Sequence, residues 1–185
     1  MLRTSFIIGI CCLASSAYAD DVRQLDTKFG ASINGVCQVL SVDVPSNENI
    51  SAVIVPNGVT VAFNRFVNEQ TLEPVAFTLM VNINARCNFA HQLSVVSQNG
   101  GFSLQGATGI TNGFDTRRNY QASVSWAGEN ASFNTNGQSN LGVNLGLNGA
   151  VSDTLSIAMS APAGNNPLVA GTYSDVILIN LSGAP

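Results

Sequence analysis

The sequence predicts an all-β protein folded as a β-sandwich. Three observations carry that prediction. Apolar and polar residues alternate in a series of short runs, Gly, Pro, Asn and Ser gather between the runs, and no stretch shows a 3.6-residue apolar repeat. The 185 residues suit one domain, and 45% of them are hydrophobic while only 10% are charged. Disorder needs the opposite balance. The formal net charge of −4 comes without any basic stripe, so a nucleic-acid partner is not expected. A single histidine leaves little room for metal or acid–base chemistry.

Residues 1–19 read as a signal peptide. Arg3 supplies the positive start, Phe6 to Ala14 the apolar stretch, and Ala17-Tyr18-Ala19 an A-x-A cleavage site before Asp20. The stretch is too short to span a bilayer, and no later run is long enough, so no membrane span is expected. Removal of the signal takes Cys11 and Cys12 with it. Cys37 and Cys87 then remain as an even pair in a chain bound for an oxidising compartment, and are expected to form a disulfide. Loop entropy assigns such a link roughly 4 kcal/mol.

Residues 20–34 form a polar arm in which Leu25, Thr27, Phe29, Ala31 and Ile33 all have odd numbers. On an extended chain they share one face. The domain proper, 35–185, begins with a strand from Cys37 to Val44, stopped by Pro45-Ser46-Asn47. Ser51–Val55 and Val59–Phe63 are β-branched runs around a Pro56-Asn57-Gly58 turn. Val75–Ala85 is the longest strand, with Phe77, Leu79, Val81 and Ile83 on one face. Gln92–Ser97 ends at Asn99-Gly100-Gly101, and Phe102-Ser103-Leu104 follows. Tyr120, Ala122, Val124 and Trp126 alternate, as do Leu141, Val143, Leu145 and Leu147 within an Asn/Gly-rich region. Leu155-Ile157-Met159 is a further strand, and Pro162 to Pro167 a loop. The last run, Thr172–Leu181, is apolar on both faces, as in strands interior to a sheet or sandwich.

The last run has no strand after it to pair with, while the arm is a spare strand with an apolar stripe. An unpaired edge beside an uncovered core is a liability. Either the arm folds back and completes its own domain, or it completes the next copy by strand addition, which builds a fibre. Both readings stand on the sequence, beside a third in which the arm is a plain terminus.

The segment Pro167-Leu168-Val169-Ala170-Gly171-Thr172-Tyr173-Ser174-Asp175, running into Val176-Ile177-Leu178-Ile179, resembles the closing motif of spore coat protein U-like subunits, the pilins of archaic chaperone–usher pili. The contexts Ile33-Asn34-Gly35-Val36-Cys37 and Val81 to Asn88 around the two cysteines, and Leu93-Ser94-Val95 leading to Asn99-Gly100-Gly101, are similar to that family as well. The resemblance implies an immunoglobulin-like sandwich that lacks its last strand and is finished by a donor strand. It implies a periplasmic chaperone and an outer-membrane usher as partners, a polymer with other pilin subunits, and passage through the periplasm to the cell surface. Leu25, Thr27, Phe29, Ala31 and Ile33 would be the donor strand. Gly171, Tyr173 and Asp175 would set the last strand, with Asp175 bonded to turn backbone near Tyr173. The acceptor groove would be lined by 172–181 and by Cys37 to Val44.

Catalysis is not expected. His91 has no G-x-S-x-G companion and reads as an exposed residue at a strand start. Asp153 with Asp175, or Glu69 with Glu73, could be paired carboxylates for glycoside hydrolysis, but read as turn and loop acids. Trp126 among Asn-rich loops could stack on a sugar, yet its place on an alternating strand makes it core. Arg117-Arg118 reads as a solvated turn. The sequons at Asn49, Asn130 and Asn180 are assigned no function, and neither calcium nor zinc spacing is present, so no cofactor is expected. The expected function is that of a secreted pilus subunit, serving adhesion or biofilm formation. The alternative is a monomeric secreted or periplasmic β-sandwich that binds carbohydrate or protein.

Overall fold

The structure, a computed structural model, describes residues 31–55, 58–106 and 112–183. The signal segment, and Leu25, Thr27 and Phe29 of the arm, lie outside the described residues. The chain divides into Met1–Ile33 and Asn34–Pro185. Ala31 and Ile33, in the first unit, are exposed. All the strands belong to the second.

In chain order these are β1 Cys37–Asp43, β2 Ile50–Val55, β3 Gly58–Phe63, β4 Phe77–Cys87, β5 His91–Ser97, β6 Phe102–Leu104, β7 Arg117–Arg118, β8 Gln121–Trp126, β9 Glu129–Asn134, β10 Leu141–Leu147, β11 Val151–Ala161, β12 Tyr173–Ser174 and β13 Ile177–Gly183. No helix occurs among the described residues. One sheet has the order β1-β4-β11-β8-β9 and a second β10-β5-β13; β12-β6-β7 and β2-β3 are small separate sheets. Every pairing within them is antiparallel.

The two larger sheets share one core. Leu79 and Ile83 of β4, Leu155 and Ile157 of β11, and Val124 and Trp126 of β8 meet Leu93 and Val95 of β5 and Leu145 and Leu147 of β10. Alternation explains the register. Odd residues of β4 face the core, while Asn82 and Asn84 face outward. There Asn84 donates through Nδ2 to Ser41 Oγ at 2.8 Å and accepts from Thr154 Oγ1 at 2.6 Å, and Asn82 Oδ1 accepts from Ser156 Oγ at 2.9 Å. A one-residue slip would bury this amide row and expose the apolar set.

Two expectations are overturned. His91 is fully buried, not solvent-exposed. Its Nε2 accepts from Trp126 Nε1–H at 3.0 Å, so the ring proton sits on Nδ1, which donates to Phe89 O at 2.9 Å. Sequence pattern misplaced it because the strand begins one residue earlier than the apolar run. Arg118 is also buried, at 8% exposure, rather than solvated. Its Nη2 donates to the carbonyl of Pro162 and, at 3.5 Å, to that of Val75, while Nε has no partner. Desolvation holds its guanidinium below the ordinary arginine value. Arg117 instead reaches Asn99 O through Nη1 at 2.6 Å. Trp126 is core, as its strand position predicts.

Cys37 and Cys87 are direct register partners on β1 and β4 and form the disulfide, closing a separation of 50 residues. β1 is an edge strand held on one side only, so the link fixes both its register and its attachment. Replacing both cysteines by alanine is expected to cost about 4 kcal/mol, read as a lowered urea midpoint with a steeper slope, because the unlinked unfolded chain exposes more surface.

Candidate functional site: a groove between two strand edges

A groove of about 830 Å³ opens into the core. Its floor is made of alternate residues, Leu79, Val81 and Ile83 of β4 with Ile157 and Met159 of β11. Alternate residues present the face of a strand. The two walls differ in kind. On one side the lining runs unbroken through Val176, Ile177, Leu178 and Ile179, and on the other unbroken from Gly58 to Phe63. Consecutive side chains point to opposite faces, so only a strand's edge can line a cavity without a gap. Among the described residues, β13 pairs only with β5, and β3 only with β2. Both walls therefore carry unpaired N–H and C=O groups.

Among the described residues, part of the core face is left exposed. Ile179 lies in register with Val95, and register partners share a face; Val95 has no exposed area, whereas Ile179 is 38% exposed. Val39 lies opposite fully buried Ala85 and is 60% exposed. Ile179 lines the groove and Val39 lies outside its lining; both stay part-exposed on the side their buried register partners occupy. Leu178, on the other face of β13, and Val176 just before the strand are exposed too. The sequence expectation of a strand interior to a sheet or sandwich is thus corrected: the apolar character on both faces is real, but β13 is an edge strand.

The Gly171, Tyr173 and Asp175 motif positions this wall. A Cβ on Gly171, whose φ is +151°, would collide with the Leu104 side chain. Tyr173 Oη shares its proton between the carbonyls of Val169 at 2.8 Å and Asp115 at 3.0 Å. Burial, then the Asp115 carboxylate, raise its phenol above the ordinary value. Asp175 takes five hydrogen bonds, from Ser97 Oγ at 2.6 Å, Tyr120 Oη at 2.7 Å, Val176 N at 2.7 Å, Asn99 N at 3.0 Å and Gly101 N at 3.1 Å. Only Val176 is local. The carboxylate joins the root of β13 to the backbone of the turn after β5, whose Asn99 also donates through Nδ2 to the Ser174 carbonyl at 3.2 Å, and to the start of β8.

The other candidates do not converge. Asp153 lies opposite Ala85 toward the disulfide, and Asp175 beyond Ser97 at the other end of the sandwich. Glu69 is exposed and Glu73 half-buried. Both His91 nitrogens are engaged in a dry core. A smaller hollow of about 460 Å³ beside the disulfide contains Arg86, whose Nε and Nη2 both already donate to Gln38 Oε1. Among the described residues no group of three His, Cys, Asp or Glu is placed to hold a metal. Sequence reading missed the part that β3 plays in the groove; the absence of any charged residue from Ile50 to Phe63 was the available signal. Compared with family models, curated proteins and solved structures, the chain matches none.

The Asp175 network carries a pH dependence. Burial, reinforced by the neighbouring carboxylate, pushes the Tyr120 phenol above its ordinary value of about 10. The folded state therefore favours the neutral phenol. This stability is complete below pH ~10 and is lost as pH rises toward the folded value. Urea midpoints between pH 7 and 11.5 should fall above pH ~10, and Tyr120→Phe should be weaker at pH 7 but decline less steeply.

Proposed function

We propose that the chain is a structural subunit of a surface fibre, completed by a strand supplied from another copy. The observation that carries this reading is the groove: an apolar floor with a free strand edge on each side. A β-strand satisfies all three at once. Its alternate side chains cover the floor, and its two backbone edges pair with β13 and β3, joining them into one sheet. Small-molecule pockets offer a few convergent polar groups; this groove offers a row of backbone groups and apolar side chains, the recognition mode of strand addition.

The donor in this reading is residues 20–34, with Leu25, Thr27, Phe29, Ala31 and Ile33 directed at the floor. Burying the three large ones, Leu25, Phe29 and Ile33, contributes roughly 5–9 kcal/mol before ordering costs. A head-to-tail contact of this kind does not close, so it propagates as a fibre. The resemblance to spore coat protein U-like pilins points the same way, and with it a periplasmic chaperone and an outer-membrane usher as handling partners, an immunoglobulin-like topology, secretion, and a place in adhesion or biofilm. A monomeric binding module is the competing reading, and the exposed inward-facing Ile179 and Val39 weigh against it.

Size-exclusion chromatography with light scattering tests the proposal on residues 20–185, alone and with 20–34 repeated after Pro185 through a short flexible linker. The unextended chain should polymerise, and the extended chain should be a stable monomer. Ile179→Asp should leave the core intact, since the residue is part-exposed, yet abolish polymerisation. A stable unextended monomer that the added strand does not change would contradict the reading.

A further inference from the structure

The arm joins the domain at Asn34-Gly35, where Gly35 lies against Phe89. Asn-Gly is the strongest two-residue hairpin signal, and a type I′ turn there would lay the arm back along the free edge of its own β1. Such a turn needs positive φ at both residues, and neither has it. The reason lies across the strand pair. Beyond the Cys37–Cys87 rung, Asn88 N–H donates to Val36 O at 3.2 Å. Its side chain then acts as a second peptide group: Oδ1 accepts from Val36 N–H at 2.7 Å and Nδ2 donates to Asn34 O at 3.0 Å. The β1–β4 ladder is thereby prolonged over 34–36, and the groups a reversing turn would use are taken. Phe89 closes the other side. Its ring lies against Gly35, where a Cβ would come within 2.9 Å, and also touches Gly183 at the end of β13.

Strand direction adds to this. β1 leaves the Phe89 end of the sandwich and β13 arrives there. An arm folded back along its own β1 would have to run parallel to β13, the slightly weaker pairing. A strand from another copy is free to run antiparallel.

We infer that Asn88, backed by Phe89, is a positioning residue that holds the arm's exit extended and so directs the arm to another copy instead of its own groove. This rests on the reading of the groove as a strand acceptor. It identifies the device that separates fibre growth from self-closure.

The test is a crosslink on residues 20–185, which lack Cys11 and Cys12, carrying Thr27→Cys and Leu178→Cys, bridged by a short bis-maleimide and resolved under denaturing conditions. In this background the links should be intermolecular and give a ladder. Adding Asn88→Ala, at an exposed position, should raise the intramolecular share about tenfold, the effect of losing two ordinary hydrogen bonds. Asn88→Asp, which keeps the acceptor for Val36 and loses the donor to Asn34, should fall between. Intramolecular links in the Asn88 background, or a ladder unchanged by Asn88→Ala, overturn the inference while leaving strand addition standing. No links in either background overturn both.

Discussion

An apolar floor flanked by two unpaired strand edges is the constraint on which the rest of this molecule depends. Backbone groups at a sheet edge and inward-facing apolar side chains each have a cost when left uncovered, and here they coincide. Ile179 and Val39 point into a core that Val95 and Ala85 share, yet remain in contact with solvent. The disulfide, the outward Asn82 and Asn84 row and the deep core of Trp126, Leu155 and Leu93 hold the five-stranded sheet and β5 together.

The edges of that gap are held at their roots. Asp175 gathers hydrogen bonds from Ser97, Asn99, Gly101 and Tyr120 at the point where the chain enters β13, which aims an otherwise one-sided strand. β3 is held differently. Ile50 is buried at the start of the β2–β3 pair, and Phe63 at its end packs against Phe66, Phe77 and Phe102. Asn49 accepts from Asn64 N–H through its carbonyl and from Arg65 N–H through its side-chain Oδ1. Beyond this root, Val53 and Ile54 are each 63% exposed, on a pair that no other strand supports. Two-stranded pairs are marginal alone. A third strand in the groove would give this pair the lateral support it lacks.

Much of the sandwich was legible because its signals are local. The odd-numbered apolar residues of β4, the alternation before Trp126 and the Pro56-Asn57-Gly58 punctuation each specify a strand or a turn without reference to the rest of the chain. β9 was not legible: Glu129–Asn134 has only Ala131 and Phe133 to mark its inner face, and its strand character comes from pairing with β8. β7 is two arginines made into a strand by β6. The burial of His91 depends on the indole of Trp126, 35 residues away, together with the Phe89 carbonyl. The groove was half legible. The apolar run of β13 pointed to one wall, but nothing in Val59–Phe63 says that its edge faces that wall across the floor, because such placement is fixed by long-range packing and not by periodicity.

The most direct test of the account is hydrogen exchange along β13. It would be measured on the unit Asn34–Pro185, with and without a peptide of residues 20–34. Alone, those amides of Ile177–Leu181 that do not bond to β5 should exchange nearly as fast as unstructured backbone, while those bonded to β5 stay protected. With the peptide they should slow by on the order of a hundredfold, and the amides on the outer edge of β3 should slow with them. Outer-edge amides already protected in the absence of any added strand would contradict the account, because the domain would then be complete as it stands.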